Sequence, residues 1–160
     1  MTQDIHQLIV ENQGIIWNVT RTFYLLKEDR EDLFQDIVVR VIENYPSFRH
    51  ESKFSTWLYR VALNTAISHK KKKKSFISLA ALFKTPIQKK NDNAYDSSDI
   101  SMLYRAINNL NKIEKAIILL YLEEKSYQEI SDVIGLTVKN ISVKLVRIKK
   151  KLGEIMRSME

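Results

Sequence analysis

The sequence predicts an all-α protein made of two small helical domains joined by a flexible linker. Three observations point there. Only three Gly and two Pro occur in 160 residues, so the strongest helix breakers are rare. Apolar residues recur at spacings of three and four in two separate stretches, before Lys70 and after Asp99. Between them, residues 75–99 read SFISLAALFKTPIQKKNDNAYDSSD, with Pro86, a polar run from Gln88 to Asn93 and the pair Ser97-Ser98. The predicted boundaries are therefore 1–74, 75–99 and 100–160. Within the linker, Phe76 to Phe83 is too apolar for simple solvation and suits packing on the first block or in a partner's groove.

In the first block an amphipathic pattern runs from Ile5 to Lys27 through Ile9, Ile16, Val19, Phe23 and Leu26, with Gly14 as a local weak point. Asp29 followed by Asp32 resembles a cap before the next helix. That helix carries Leu33, Ile37, Val41 and Tyr45, flanked by Phe34, Val38 and Ile42, and Pro46 ends it. It also holds Glu28, Asp29, Glu31, Asp32, Asp36 and Glu43, an acidic face on a basic protein. From Phe54 the residues Trp57, Leu58, Val61, Ala62 and Ile67 form one buried face and leave Thr56, Tyr59, Arg60 and Asn64 on or near the other. Trp17, Phe23, Phe34, Phe54 and Trp57 are expected in one core. The helix then meets Lys70, Lys71, Lys72, Lys73 and Lys74, a charge block that no core accepts. A core face, an aromatic and amide face and a cationic tail on one element suit nucleic-acid recognition; a core helix with a solvated tail is the plainer reading.

In the second block Ile100, Leu103, Ile107 and Leu110 indicate one helix, and Ile113, Ile117, Leu120 and Tyr121 another. Ser126 and Glu129 form an S-x-x-E capping pattern, Gly135 suits a turn with positive φ, and Thr137 suits the next N-cap. Ile130, Val133 and Ile134 face inward from the first of these helices, and Val138, Ile141, Leu145, Ile148 and Leu152 from the second. Two short helices around a Gly turn make a helix-turn-helix, whose second helix enters the DNA major groove. Its outward residues are Lys139, Asn140, Ser142, Val143, Lys144, Val146, Arg147 and Lys151. An ordinary helix pair with a solvated basic face is the competing reading.

A net charge of +7 and a pI near 9.5 call for an acidic partner. With no Cys there is no disulfide and no thiolate metal site, and His6, His50 and His69 have no ligand spacing. Asp32 and Asp36, four apart, fit a partner-binding acidic face better than a divalent-ion site. Gly-rich phosphate loops, nucleophile elbows and His-carboxylate motifs are missing, so neither an enzyme nor a cofactor is expected. Without a long apolar run or a leader-like N-terminus, no membrane insertion is expected and a cytoplasmic location is.

The stretch DREDLFQDIVVRVIENYPSFRHESKFSTWLYRVALNTAISHKKKK resembles region two of bacterial sigma factors, and LNKIEKAIILLYLEEKSYQEISDVIGLTVKNISVKLVRIKKKL resembles region four. Two such blocks with only a linker between them resemble the extracytoplasmic-function (ECF) subfamily of the sigma-70 family. The D-L-x-Q-D run at Asp32 to Asp36, F-S-T-W-L-Y-R-x-A-x-N at Phe54 to Asn64 and S-Y-x-E-I at Ser126 to Ile130 carry most of the likeness. The resemblance implies an initiation factor that binds core RNA polymerase, directs it to promoter DNA and helps melt the minus-ten element. It puts Asp32, Gln35 and Asp36 on the β′ coiled coil, and a flipped non-template base in a pocket of Arg40, Asn44, Phe48 and Asn64. Trp57, Tyr59, Arg60, Lys70, Lys71 and Lys72 complete the minus-ten surface. Lys139, Asn140, Ser142, Val143, Lys144, Val146 and Arg147 would read the minus-thirty-five element, with region four also docking on the β flap. Lys139 stands where a Gly is usual, Ser142 where a basic residue is frequent, and Val143 in place of a small polar residue, so no promoter preference transfers. The family further implies an anti-sigma partner and a free form autoinhibited by packing of the two blocks. Two other readings are a stand-alone helix-turn-helix regulator that does not melt DNA, and an RNA-binding or polymerase-anchored adaptor.

Overall fold

The computed structural model describes residues 4–70 and 98–160; Lys71, Lys72 and the linker up to Ser97 lie outside the described residues. Among the described residues there are eight α-helices, one 3-10 turn and no strand. The first block holds α1 (Ile5–Glu11), α2 (Gln13–Phe23), α3 (Lys27–Asn44), the 3-10 turn Tyr45–Ser47 and α4 (Phe54–Ser68). The second holds α5 (Ser98–Ile107), α6 (Lys112–Leu122), α7 (Tyr127–Ile134) and α8 (Val138–Ser158).

The first amphipathic run breaks at Asn12, and Gly14 sits inside α2. The Asn12 side chain donates to the Leu8 carbonyl at 2.8 Å, a local bond that competes with the helical ladder. Ile9, Ile16, Val19 and Phe23 are buried as their spacing predicts, but Leu26 is 66% exposed. It occupies the extended position that precedes α3 and is out of phase with α2. Asp29 is not a cap: α3 already starts at Lys27, and Glu28 and Asp29 lie in its first turn, where carboxylates favour the helix dipole. Leu33, Phe34, Ile37, Val38 and Val41 fill the core, and α3 stops before Pro46. Trp17 and Phe54 are half-buried at the edge of that core rather than inside it. Trp17 stacks on Phe34 with ring centroids 4.0 Å apart.

In the second block α5 begins at Ser98, and Leu110 is buried in the turn that follows the helix. Asn111 and Glu114 cap α6 reciprocally, a complete capping box. At its other end the Lys125 N–H bonds the Leu120 carbonyl and the Glu124 N–H bonds that of Tyr121, each at 3.0 Å. This Schellman turn holds Glu124 at φ 60°, a conformation that favours glycine. Ser126 accepts from the Glu129 N–H, Gly135 adopts φ 84° and Thr137 accepts from the Asn140 N–H, so the helix-turn-helix forms as predicted. Ile130, Val133, Ile141, Leu145, Ile148 and Leu152 are buried. Val138 is not inward: it is 38% exposed at the first position of α8, beside the short turn and not a packed helix.

The two blocks share one continuous apolar core, with α6 set against α2 and α4, α7 against α4 and α5 against α2. The seam also has polar ends. Lys112 Nζ donates to the carbonyls of Ile67 and His69 at 3.1 and 3.2 Å, at the C-terminal end of α4. Lys115 Nζ donates to the Phe23 carbonyl at 3.1 Å, at the C-terminal end of α2. Both ammonium groups face the negative end of a helix dipole. Burial, and then the charge of Lys112, push the Lys115 ammonium below the usual lysine range. At the far end of α6, Glu123 accepts from the Asn18 side chain and from Tyr59 Oη. Tyr59 is therefore only 4% exposed, which corrects its expected place on the open face of α4: the second block covers it. Arg60 stays exposed and donates to the Asp132 carbonyl of α7 at 3.1 Å.

Two outcomes follow from this packing. Glu124→Gly removes an αL penalty and raises unfolding stability by about 1 kcal/mol, while Gly135→Ala lowers it by a similar amount in denaturant titration. Burial, the Glu123 charge and the Glu123 hydrogen bond raise the Tyr59 phenol far above its ordinary value of 10.0. Its contribution to the closed seam is thus intact below about pH 10 and is lost as pH rises further. Small-angle scattering across that range should show the wild-type chain expanding, with a smaller expansion in Tyr59→Phe. An unchanged expansion in that variant would assign the effect to other groups.

Candidate nucleic-acid interface

Three surfaces carry the predicted site residues. The first surrounds the segment between α3 and α4, where the rings of Tyr45, Phe48, His50, Phe54 and Trp57 cluster. Phe48 is half-buried, 5.1 Å from Trp57 and 4.5 Å from His50 between ring centroids. His50 itself takes φ 58°, which turns the chain back over Phe48. Beside the cluster lies an open cleft of about 330 Å³ lined by Phe48, Trp57 and Arg60, together with Ser47, Arg49, Glu51 and Ser52. Aromatic walls beside guanidinium groups can stack a base and hold its phosphate.

The structure therefore gathers Phe48, Trp57 and Arg60 at one cleft. Arg40, Asn44 and Asn64 are exposed but do not line it. The Asn44 amide is turned back to donate to the Arg40 carbonyl at 2.7 Å. Tyr59 lies beneath Glu123, with Lys125 Nζ 5.5 Å from its ring centre. Lys70 is exposed. Arg49, Glu51 and Ser52 escape sequence reasoning because the run from Phe48 to Lys53 is aperiodic and assigns no face.

The second surface is the outer side of α8. Lys139, Asn140, Val143, Val146 and Arg147 are exposed there, and Ser142 and Lys144 half-exposed. Lys139, Val143, Val146 and Arg147 sit on the side of α8 away from Ile141, Leu145, Ile148 and Leu152, with Asn140, Ser142 and Lys144 toward its margins. The face mixes cations with two aliphatic side chains, and Val146 is 68% exposed.

The third surface is the acidic face of α3. Asp32 and Asp36 have side chains 32% and 33% exposed, and Gln35 between them is half-buried. The imidazole of His69 is fully buried against both carboxylates. Its Nδ1 is 2.8 Å from Asp36 Oδ2 in a hydrogen bond. Its Nε2 is 3.1 Å from Asp32 Oδ2, a contact without hydrogen-bond alignment. Tyr24 meets the imidazole edge-on at 5.7 Å, and burial followed by Asp29 and Asp32 raises its phenol. The sequence gives no sign of this triad, because His69 is 33 residues from Asp36 and shares no periodicity with it. No helix among the described residues is long and apolar enough to cross a membrane.

Residues 8–76 match the family model for sigma-70 region 2, and residues 100–152 that for sigma-70 region 4. The RNA polymerase sigma-H factor of Bacillus subtilis is 25% identical, with 96% of this chain and 82% of that protein covered. The ECF RNA polymerase sigma factor SigW of the same organism is 26% identical, covering 82% and 77%. The ECF sigma-E factor of Haemophilus influenzae is 27% identical, covering 81% and 75%. Among solved structures, the sigma factor RpoE in complex with the anti-sigma factor NepR from Bartonella quintana has the same fold. Its TM-score is 0.67 at 17% identity, covering 94% of this chain and 95% of that one. CnrH in complex with the cytosolic domain of CnrY gives a TM-score of 0.68 at 19% identity, covering 98% and 89%. A stand-alone regulator or adaptor leaves the match over the first block without a role. This chain belongs to the sigma-70 family of RNA polymerase sigma factors, in its extracytoplasmic-function group.

Proposed function

We propose that the chain works in the cytoplasm, docks on core RNA polymerase, brings it to particular promoters and helps open the minus-ten element, with all catalysis left to the polymerase. The cleft bounded by Phe48, Trp57 and Arg60 is the observation that carries the opening step. A base taken out of the duplex costs a few kcal/mol of lost stacking, and a half-buried aromatic wall beside a guanidinium can repay it. Asn44 and Asn64 lie outside the cleft on the flanking helices, and supply amide groups for a base edge once the strand is bound and the Asn44 amide leaves the Arg40 carbonyl. Lys70 and the lysines that follow it in sequence hold the adjacent phosphates, with affinity that falls as salt rises.

The remaining surfaces divide the other tasks. Asp32, Gln35 and Asp36 meet a basic surface of the polymerase, for which the β′ coiled coil is the family's docking element. The outer face of α8 reads the minus-thirty-five element, Arg147 and the lysines through phosphates or guanine edges and Val143 and Val146 through thymine methyls. Residues 1–74 and 100–160 act as separate units on DNA. The seam between them must then open, since Tyr59 is covered and Arg60 is held by α7 in the compact form. An anti-sigma factor, such as the one with which RpoE is complexed, would find its ligand surface at such a seam.

Run-off transcription with purified core polymerase and fragmented genomic DNA tests the assignment. Protein-dependent transcripts with fixed starts are expected, and aligned upstream sequences should give two promoter elements. Phe48→Ala should reduce open-complex formation about tenfold or more, given about 1–3 kcal/mol per stacked base, and Asn64→Ala about fivefold, given about 1 kcal/mol per hydrogen bond. Core binding should be unaffected. Unchanged promoter opening in both variants would remove the base-capture assignment.

A further inference from the structure

We propose that His69 is a positioning residue for the polymerase-docking face: its buried ring holds one oxygen of each of Asp32 and Asp36 and so aims the second oxygen of each at the partner. The inference rests on the reading that this face docks on core polymerase. Both contacts are to Oδ2, at 2.8 Å in Asp36 and 3.1 Å in Asp32, so the Oδ1 atoms are the ones turned away from the ring. Each carboxylate remains about one-third exposed although the imidazole is fully buried. Asp36 is thus hydrogen-bonded and Asp32 held in contact on one side, and both are open on the other.

The arrangement exceeds what a structural tie requires. Like charges four residues apart on one helix face repel and would turn away from each other in water. A tie between the end of α4 and α3 needs only one of them, yet the ring lies between both. Its own placement is firm. The residue follows directly on α4, its carbonyl accepts from Lys112 Nζ at 3.2 Å, and its ring meets the edge of Tyr24. Asp32, Asp36 and His69 all belong to the first block, so the clamp persists when the blocks separate and only the Lys112 bond is lost. Two fixed oxygens one helical turn apart suit the guanidinium or ammonium groups of a basic protein surface, which bind best to acceptors already in place.

The test measures the affinity of the full-length chain for purified core polymerase. Asp32→Asn with Asp36→Asn examines the docking face itself and should weaken binding. His69→Phe keeps the ring packing but removes the Asp36 hydrogen bond and the Asp32 contact. It should weaken binding about tenfold, the order expected when two side chains must be ordered on binding instead of beforehand. His69→Gln, which can still donate to one carboxylate, should recover part of that loss. In the double Asn background His69→Phe should cost nothing further, because there is no longer a charge to aim. A wild-type affinity in His69→Phe, or an equal loss in both backgrounds, overturns the positioning role and leaves a structural one. Wild-type affinity in the double Asn variant overturns the docking face and this inference with it. Thermal unfolding monitors each variant, and if His69→Phe does not fold, His69→Gln is compared in the two backgrounds by the same criterion.

Discussion

The compact arrangement depends on an ammonium group placed where ammonium groups are seldom found. Lys115 is almost wholly buried at the joint between the blocks. Taking its charge out of water is costly, as its lowered pKa reflects. The Phe23 carbonyl offsets that cost because it ends α2 and shares the negative pole of the helix. Lys112, one turn earlier, does the same at the end of α4. One face of α6 therefore closes the ends of two helices in the other block and fixes how α6 lies across them. The position of α6 sets that of Glu123, which covers Tyr59, and of the turn that leads into α7 and its contact with Arg60.

On the proposed function this joint has to open, and its chemistry suits that. Its apolar part contributes to the common core, but the carbonyls at its edges and the lysines that meet them are groups water accepts readily. Opening exchanges these bonds for hydration, so the net cost per bond is far below its gross strength. An entirely apolar joint would expose a sticky surface on opening, which proteins avoid outside permanent interfaces.

Within each block the sequence was legible wherever periodicity governs. The apolar stripe of α3, the inward face of α8 beyond Val138, the Gly135 turn and the Thr137 cap all follow from local chemistry, and they appear where the spacing puts them. The Asn111–Glu114 capping box carried an equally readable N-x-x-E signal. Boundaries were harder, because Asn12 and Leu26 act through a side-chain bond and an extended backbone that no period encodes. What lay beyond reach was anything between the blocks. Tyr59 looks solvent-facing on its own helix and is buried only because α6 ends beside it. His69 looks like a stray residue ahead of a lysine run, yet it joins two carboxylates on another helix. Local patterns specify faces; they do not say which faces meet.

On the proposed function, the surfaces differ in what the compact form leaves available, and this sets an order of events. The outer face of α8 is open and the acidic pair on α3 is one-third exposed, whereas the α4 surface has Tyr59 covered and Arg60 held. A partner shifts an equilibrium only through its different affinity for the two states. Reversing a population from 1:99 to 99:1 takes about 5.5 kcal/mol of such difference. Duplex DNA alone gains little from opening, since α8 can touch it in either form. Core polymerase can gain much, because docking starts on a face already accessible and a second contact on the other block can then be made only by pulling the two apart. On this reading polymerase binding favours the separated form, and separation frees Tyr59 and Arg60 to join the open cleft on the minus-ten strand. Promoter melting is thereby confined to the complex that can use it.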